Sequence, residues 1–406
     1  MPDSEHVRDH AVSGTSVGEH CCAACLRRTW LLSRVAGGLE VAHRRRRPIR
    51  SVLALDDEAL IEAVRGGTGL RQQLASASPS DLLASATDAG LAVLCRHSAG
   101  YPARLLDDVA PPAALFVRGH GDARARLTRL VGEARDDPDA PLTAVAIVGT
   151  RRASPEGLEV ARTLGRGLAG ANVTVVSGLA LGVDSAAHAG AVEQSGPTMA
   201  VLGGGADVPY PTRKAGLYQA ILAAGGVVVS EMPPGFRAFR WSFPARNRII
   251  AALAPVTIVV EAAERSGSLI TAELALDLGR DVAAVPGPVL SWRSRGTNAL
   301  LRDGATLIRD VRDALELVLG TEGAAAALKR AAEQPIAPPA TLAPELRALL
   351  AAVDDGRTTI GSLASDPAGA AIVGAGLAEL ELLGLVRRVS GGRVLRTTRA
   401  PASSGA

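Results

Sequence analysis

Lysine is nearly absent from this 406-residue chain: of its 44 cationic side chains only Lys214 and Lys329 are lysines. The next residues are Ala215 and Arg330, neither Ser nor Thr, so no GxxxxGK[ST] phosphate loop exists. Lysine-based covalent catalysis has almost no candidates for the same reason. Histidine is scarce as well. The seven (His6, His10, His20, His43, His97, His120 and His188) form no HExxH, which excludes the zincin proteases. Four cysteines are too few for a secreted disulfide framework in a chain of this length. No apolar core follows a basic start, so no signal peptide is expected. The longest uncharged run, residues 167–183, contains four glycines, Asn172 and Ser177, and falls short of a membrane span. A soluble, cytoplasmic protein is expected.

What is present is an ordinary globular mixture, 47% hydrophobic and 21% charged, with a net charge of +3. That length and composition allow two or three domains and permit, without demanding, a polyanionic partner. Residues 1–50 read as a Cys/His/Arg-rich extension holding Cys21, Cys22, Cys25 and the run Arg44 to Arg47. A zinc site there would need Cys22-x-x-Cys25 plus two further ligands, and no second Cys pair follows at ribbon spacing. A reduced, structurally unimportant cluster is therefore expected, with no metal. Residues 51–110 read as a small helical domain, from leucine spacings that continue to Leu94.

From 111 to 320 short apolar runs alternate with helical ones. Strands are predicted at 144–148, 173–176, 198–202, 227–230, 256–260, 282–285 and 305–308. Helices are predicted at 155–169, 185–193, 217–223, 270–278 and 297–301. Such alternation predicts an α/β fold with a doubly wound, mostly parallel sheet and ligands at the strands' carboxyl ends. Residues 321–344, rich in Ala and Pro, read as a linker. Two helices and a Gly391-Gly392 hairpin at 345–398 read as a winged helix-turn-helix, and 399–406 as a disordered tail. The candidate reading helix there carries Glu379 and Glu381 and no Arg, Lys, Asn or Gln, which argues for a protein contact over major-groove reading.

The predicted strand ends carry small-residue turns: Gly149-Thr150-Arg151-Arg152, Ser177-Gly178, Gly203-Gly204-Gly205 and Arg265-Ser266-Gly267-Ser268. Glycine lets backbone N–H groups approach a ligand, and a helix N-terminus adds partial positive charge. Several such turns along one edge suit an extended anion. Four arginines (Arg237, Arg240, Arg246, Arg248) fall within twelve residues without an intervening carboxylate, which favours phosphate over a solvated face. Six of the ten aromatics lie between Tyr210 and Phe243. Rings among cations suit a single-stranded nucleic acid, one or two of them meeting bases while Tyr218 and Phe243 are core. The one GxGxxG, starting at Gly165, ends a helical run and lacks the strand–turn–helix context of a dinucleotide site. His188 and Asp184, at i and i+4, read as a packed histidine and a helix cap, and Glu231 and Glu261 as carboxylates that orient arginines or amides.

Taken in order, Val148-Gly-Thr-Arg151, Ser177-Gly-Leu-Ala180, Tyr210-Pro211, Ser230-Glu231, Phe243-Pro-Ala-Arg246-Asn247-Arg248-Ile-Ile250, Arg265-Ser-Gly-Ser268 and Val285-Pro-Gly287 resemble the DNA-processing protein A (DprA/Smf) family. The resemblance implies an extended Rossmann core that binds single-stranded DNA without cutting it. It further implies homodimerisation, and loading of the RecA recombinase onto DNA otherwise held by single-strand-binding protein in natural transformation, with no cofactor. Carried over by position, the DNA-binding set is Gly149, Thr150, Arg151, Ser177, Gly178, Ser266, Gly267 and Ser268, with Arg246, Asn247 and Arg248 shaping the groove. Arg152 and Arg265 flank the same turns. Two departures from the family's pattern stand out. Leu181 stands where a cation is frequent, and Thr212 and Lys214 stand where a cation and an Asn follow Tyr-Pro. Arg213 and Lys214 are expected to supply the displaced charge. Two other readings stay open: a phosphoribohydrolase-like nucleotide enzyme, whose PGGxGT turn is here Arg265-Ser-Gly-Ser268, and a protein scaffold.

Overall fold

The structure, a computed structural model, describes residues 16–18, 21–131, 143–333, 342–364, 366–389 and 391–397. A short antiparallel pair, β1 (Ser16–Gly18) and β2 (Cys21–Cys22), leads into six helices. These are α1 (Ala23–Arg34), α2 (Ala36–Arg44), α3 (Ile49–Leu53), α4 (Asp57–Ala63), α5 (Thr68–Ser76) and α6 (Pro79–Asp88). The side chains of Asp56 and Ser78 cap α4 and α6 by accepting backbone N–H bonds. The helical unit begins earlier than the sequence reading places it, since α1 and α2 lie within the expected extension. Leu31, Leu32, Val35 and Leu39 recur on one helical face and share a core with Ile49, Val52, Leu60 and Ile61. The unit also ends earlier, because residues 92–95 are a strand and not a helix.

That strand, β3 (Ala92–Cys95), and β4 (Ala114–Arg118) pair antiparallel at one edge of a nine-stranded sheet. The helix α7 (Ala123–Leu130) follows. The parallel part then runs β5 (Ala144–Val148), α8 (Pro155–Gly170), β6 (Thr174–Ser177), α9 (Val183–Glu193), β7 (Thr198–Val201), α10 (Ala215–Ala223) and β8 (Val227–Ser230). It continues through α11 (Ser242–Leu253), β9 (Val256–Val259), α12 (Gly267–Asp277), β10 (Asp281–Ala284), α13 (Arg295–Arg302) and β11 (Thr306–Leu307). All seven predicted strands are present. The spatial order is β11-β10-β9-β5-β6-β7-β8-β4-β3. From β5 the chain winds outward to β8, then returns to β9 on the other side of β5. The switch point therefore falls between β5 and β9, where an open α/β sheet leaves a crevice. The central strands are buried on both faces, as their unbroken apolar sequences require. The GxGxxG lies inside α8, and a Cβ at Gly165 would strike the Ala187 backbone of α9. Its glycines serve close helix packing, not a ligand.

The helix α14 (Val311–Glu333) bends at Gly320 (φ 72°) and buries Ala314, Leu315, Ala324 and Ala327 against the sheet's core. The expected linker is thus helical as far as Glu333, because alanine is the best helix former and two of these alanines find a partner face. Residues 334–341 and the tail 399–406 lie outside the described residues. The C-terminal unit contains α15 (Pro344–Asp354), α16 (Ile360–Leu363), α17 (Pro367–Leu382) and the antiparallel hairpin β12 (Val386–Val389) and β13 (Arg393–Arg396). Leu346, Leu350, Leu377, Leu380, Val386 and Val394 give it a core of its own. Among the described residues no helix is long and apolar enough to cross a membrane.

Candidate nucleic-acid interface

Because β9, β5, β6 and β7 are neighbours, the loops that follow them meet at one edge. The turn after β5 is tied to the β9 loop across the switch point: the Thr150 N–H donates to the Glu261 carbonyl at 2.7 Å. A Cβ at Gly149 would lie 2.5 Å from Val183 Cγ2, so only glycine fits there. Gly182 has φ 81°, and a Cβ there would strike the Thr150 carbonyl. These close approaches fix the Arg151–Arg152 corner against α9.

The start of α8 is not an open anion site. Glu261 Oε2 accepts the Ser154 N–H at 2.8 Å, and Ser154 Oγ accepts the Gly157 N–H at 3.0 Å. An internal carboxylate and a capping hydroxyl occupy the place a phosphate would take. The second turn is closed likewise. Ser177 is fully buried and donates its hydroxyl to the Ile147 carbonyl at 2.6 Å. The Gly178 N–H donates to Asp184 Oδ2 at 3.2 Å. Asp184 is not the α9 cap as expected; Gly182 holds that position, and the Asp184 carboxylate reaches back to the Gly178 amide. His188 is the packed histidine expected, buried, with Nδ1 2.8 Å from Thr198 Oγ1. Burial holds its pKa down to about 3.

Two of the arginines assigned to the groove face inward. Arg246 is 5% exposed and donates from Nη1 to the carbonyls of Gly178 (2.6 Å) and Val201. Burial pushes its pKa down to about 10. Arg248 is 2% exposed and pairs with the buried Glu231. Both lie on the core face of α11, which the sequence reading did not recognise as a helix. Without that periodicity an inward arginine cannot be told from an outward one. Glu231 and Glu261 do orient an arginine and an amide, as anticipated.

The outward set is Arg151, Arg152, Arg213, Arg237, Arg240 and Arg265, all exposed, with Lys214 half-buried. Among the described residues none of these seven pairs with a carboxylate. Arg151 Cζ stands 5.1 Å from the centroid of the Phe243 ring, and Phe243 lies 5.5 Å from Tyr210. Phe243 is thus half-exposed under a cation, contrary to the core position expected for it. Tyr210 is 48% exposed and precedes the short turn Thr212–Lys214 that carries Arg213 and Lys214. One helical turn beyond Phe243 on α11, Asn247 Nδ2 donates to the Gly267 carbonyl at 3.4 Å. α11 thereby links Tyr210, Phe243, Arg151 and Gly267 along one edge, and Lys214 follows Tyr210 by four residues. At the start of α12, Ser266 Oγ accepts from the Ser268 N–H and lies 2.7 Å from Ser268 Oγ, while a Cβ at Gly267 would meet open space.

Of the other aromatics, Tyr218 is core, donating to the Ala206 carbonyl at 2.7 Å. Trp241 is fully buried beneath the N-terminal helices. Trp292, 49% exposed, was missed by sequence reasoning because it stands alone outside the aromatic cluster. Arg293 lies over its ring at 4.7 Å and donates from Nε to the Arg152 carbonyl at 3.1 Å, which brings this ring to the same corner.

Fold and edge together define a doubly wound α/β protein with a cation- and ring-lined switch point. The sequence profile of the family described as "DNA recombination-mediator protein A" matches residues 92–319. Protein Smf of Synechocystis is 34% identical over 326 residues, covering 73% of this chain and 78% of that protein. A DNA processing protein DprA of Mycobacterium tuberculosis is 47% identical over 219 residues, 52% of this chain and only 56% of that protein. The crystal structure of DNA processing protein A from Streptococcus pneumoniae superposes with a TM-score of 0.54 at 31% identity, covering 72% of this chain and 95% of that one. The chain belongs to the DNA recombination-mediator protein A (DprA/Smf) family.

Proposed function

We propose that the chain is a non-catalytic, sequence-nonspecific single-stranded DNA-binding protein that loads the RecA recombinase onto DNA in homologous recombination and natural transformation. The single observation that carries this reading is the solvent-facing Tyr210–Phe243–Arg151 cluster at the switch point, among cations that have no carboxylate partner among the described residues. Rings beside guanidinium groups accept bases and phosphates without reading sequence. With the α8 amides and the second turn satisfied internally, the strand is held by Arg151, Arg152, Arg213, Lys214 and Arg265 and by the α12 start at Ser266, Gly267 and Ser268. Gly149, Thr150, Ser177, Gly178, Arg246 and Asn247 shape the edge from behind, and Arg248 serves the core beneath it through Glu231. A homodimer presents two such edges. The C-terminal unit acts as a winged helix that contacts protein, and RecA displaces single-strand-binding protein on the presented strand. The setting is cytoplasmic, and DNA binding needs no cofactor.

Fluorescence anisotropy with labelled oligonucleotides tests this. Single strands should bind more tightly than duplex, and Arg151→Ala should weaken that binding about tenfold, the worth of one charge-assisted phosphate contact. Equal affinity for duplex, or release of free base from a nucleoside monophosphate, would reject it.

A further inference from the structure

The cysteines expected to be unimportant converge. Cys22 is the N-cap of α1 and Cys25 lies in its first turn, while Cys95 ends β3 and His97 follows it. The Sγ atoms of Cys22, Cys25 and Cys95 and a ring nitrogen of His97 all lie within 4.8 Å of one another. The Cys22 and Cys25 sulfurs are each 3.4 Å from His97 Nδ1. A neutral ring nitrogen offers one lone pair or one hydrogen, so it cannot satisfy two thiols at once. A shared cation can. Bonds of about 2.3 Å to sulfur and about 2.0 Å to nitrogen at tetrahedral angles place sulfur and nitrogen about 3.5 Å apart and two sulfurs about 3.8 Å apart. The Cys22 and Cys25 sulfurs match the first spacing, and all four atoms fall within 4.8 Å.

The surroundings are those of a metal-bound thiolate. Cys95 Sγ accepts from both the Cys22 N–H and the Ser98 hydroxyl at 3.4 Å. α1 starts with no side-chain cap and no acidic residue in its first turn. Cys25 and Cys95 are each 1% exposed, whereas His97 is exposed.

We propose that Cys22, Cys25, Cys95 and His97 form a structural zinc site. Three thiolates and one imidazole suit Zn²⁺, and four protein ligands leave no open position for catalysis. Each thiol releases its proton to solvent as the ion binds. The site clips α1 to β3, the edge strand of the sheet, where Cys25 and Leu26 already share a buried core with Val93 of β3 and Phe116 of β4. Sequence spacing hid it, since the second ligand pair is Cys-x-His and lies about seventy residues downstream.

The test uses the full chain, produced without an affinity tag in zinc-supplemented medium and analysed by inductively coupled plasma mass spectrometry. One zinc per chain is expected, with the visible bands of a tetrahedral thiolate site after cobalt replacement. His97→Ala, at an exposed position, should lose most of the zinc while remaining folded, and Cys95→Ser should lose all of it. Chelation should lower the thermal midpoint of the parent protein but not that of Cys95→Ser. Zinc far below one equivalent with no tetrahedral cobalt spectrum would overturn the proposal. So would full zinc retention in both variants, or a Cys22–Cys25 disulfide found by alkylation and mass spectrometry.

Discussion

Arg151 and Arg248 both belong to the DNA-binding set expected from the sequence, and the structure gives them opposite fates under the same substitution. Arg248 pairs with Glu231 where the two side chains are 3% and 5% exposed. Arg248→Ala leaves the Glu231 carboxylate buried without its counter-charge, which costs about 3–5 kcal/mol. For a cooperative unit of this size that is a fall of about 6–20 °C in thermal midpoint. Arg151 is exposed over the Phe243 face and has no ion pair among the described residues, so Arg151→Ala should shift the midpoint little. DNA binding should show the reverse pattern. Below its midpoint, folded Arg248→Ala should bind single strands like the parent, while Arg151→Ala loses about tenfold. Its plot of log affinity against log salt should also flatten by about 0.7, the share of one phosphate contact on a single strand. The assays are differential scanning calorimetry and anisotropy titrations at several salt concentrations. If Arg248→Ala is as stable as the parent but fails to bind, while Arg151→Ala binds normally, the division into inward and outward arginines is wrong.

Reversing Arg213 and Lys214 together to Glu should weaken single-strand binding and reduce the salt slope by about 1.4, two contacts' worth; an unchanged slope would remove that turn from the interface. His188 stays neutral down to about pH 3 in the folded chain but protonates near 6.5 when unfolded. The unfolded chain therefore holds the extra proton between those values. This contribution is complete above pH 6.5 and drains as the pH falls toward 3, by up to about 1.4 kcal/mol per unit. Denaturant titrations should show that slope reduced in His188→Gln, and an identical pH profile would contradict the burial argument. Gly182→Ala places a methyl against the Thr150 carbonyl at a left-handed φ, so it should destabilise the chain and weaken DNA binding together. Unchanged binding would separate the Arg151 corner from the α9 start.

How much of this was legible in the sequence depended on distance along the chain. The parallel strands were readable because unbroken apolar runs such as Ala144–Val148 and Val227–Ser230 can only be buried on both faces. The small-residue turns and the excess of arginine over acid between Arg237 and Arg248 were readable for the same local reason. Side-chain direction was not. Ser177, Arg246 and Arg248 look like ligands for an anion until the sheet supplies the Ile147 and Val201 carbonyls and the Glu231 carboxylate that they satisfy. The α8 N-terminus looks open until Glu261, over a hundred residues away, fills it.

Alternation and motif order, properties of neighbours in the chain, set the fold class and the family, and charge suggested the anionic ligand proposed above. Tertiary structure alone decided which cations face solvent, which rings are free, and that Cys95 and His97 join Cys22 and Cys25. The reason is physical: hydrogen bonds, ion pairs and metal coordination act over a few ångströms in space, and at this edge their partners are contributed by strands that neighbour one another only once the sheet has closed its order around β5.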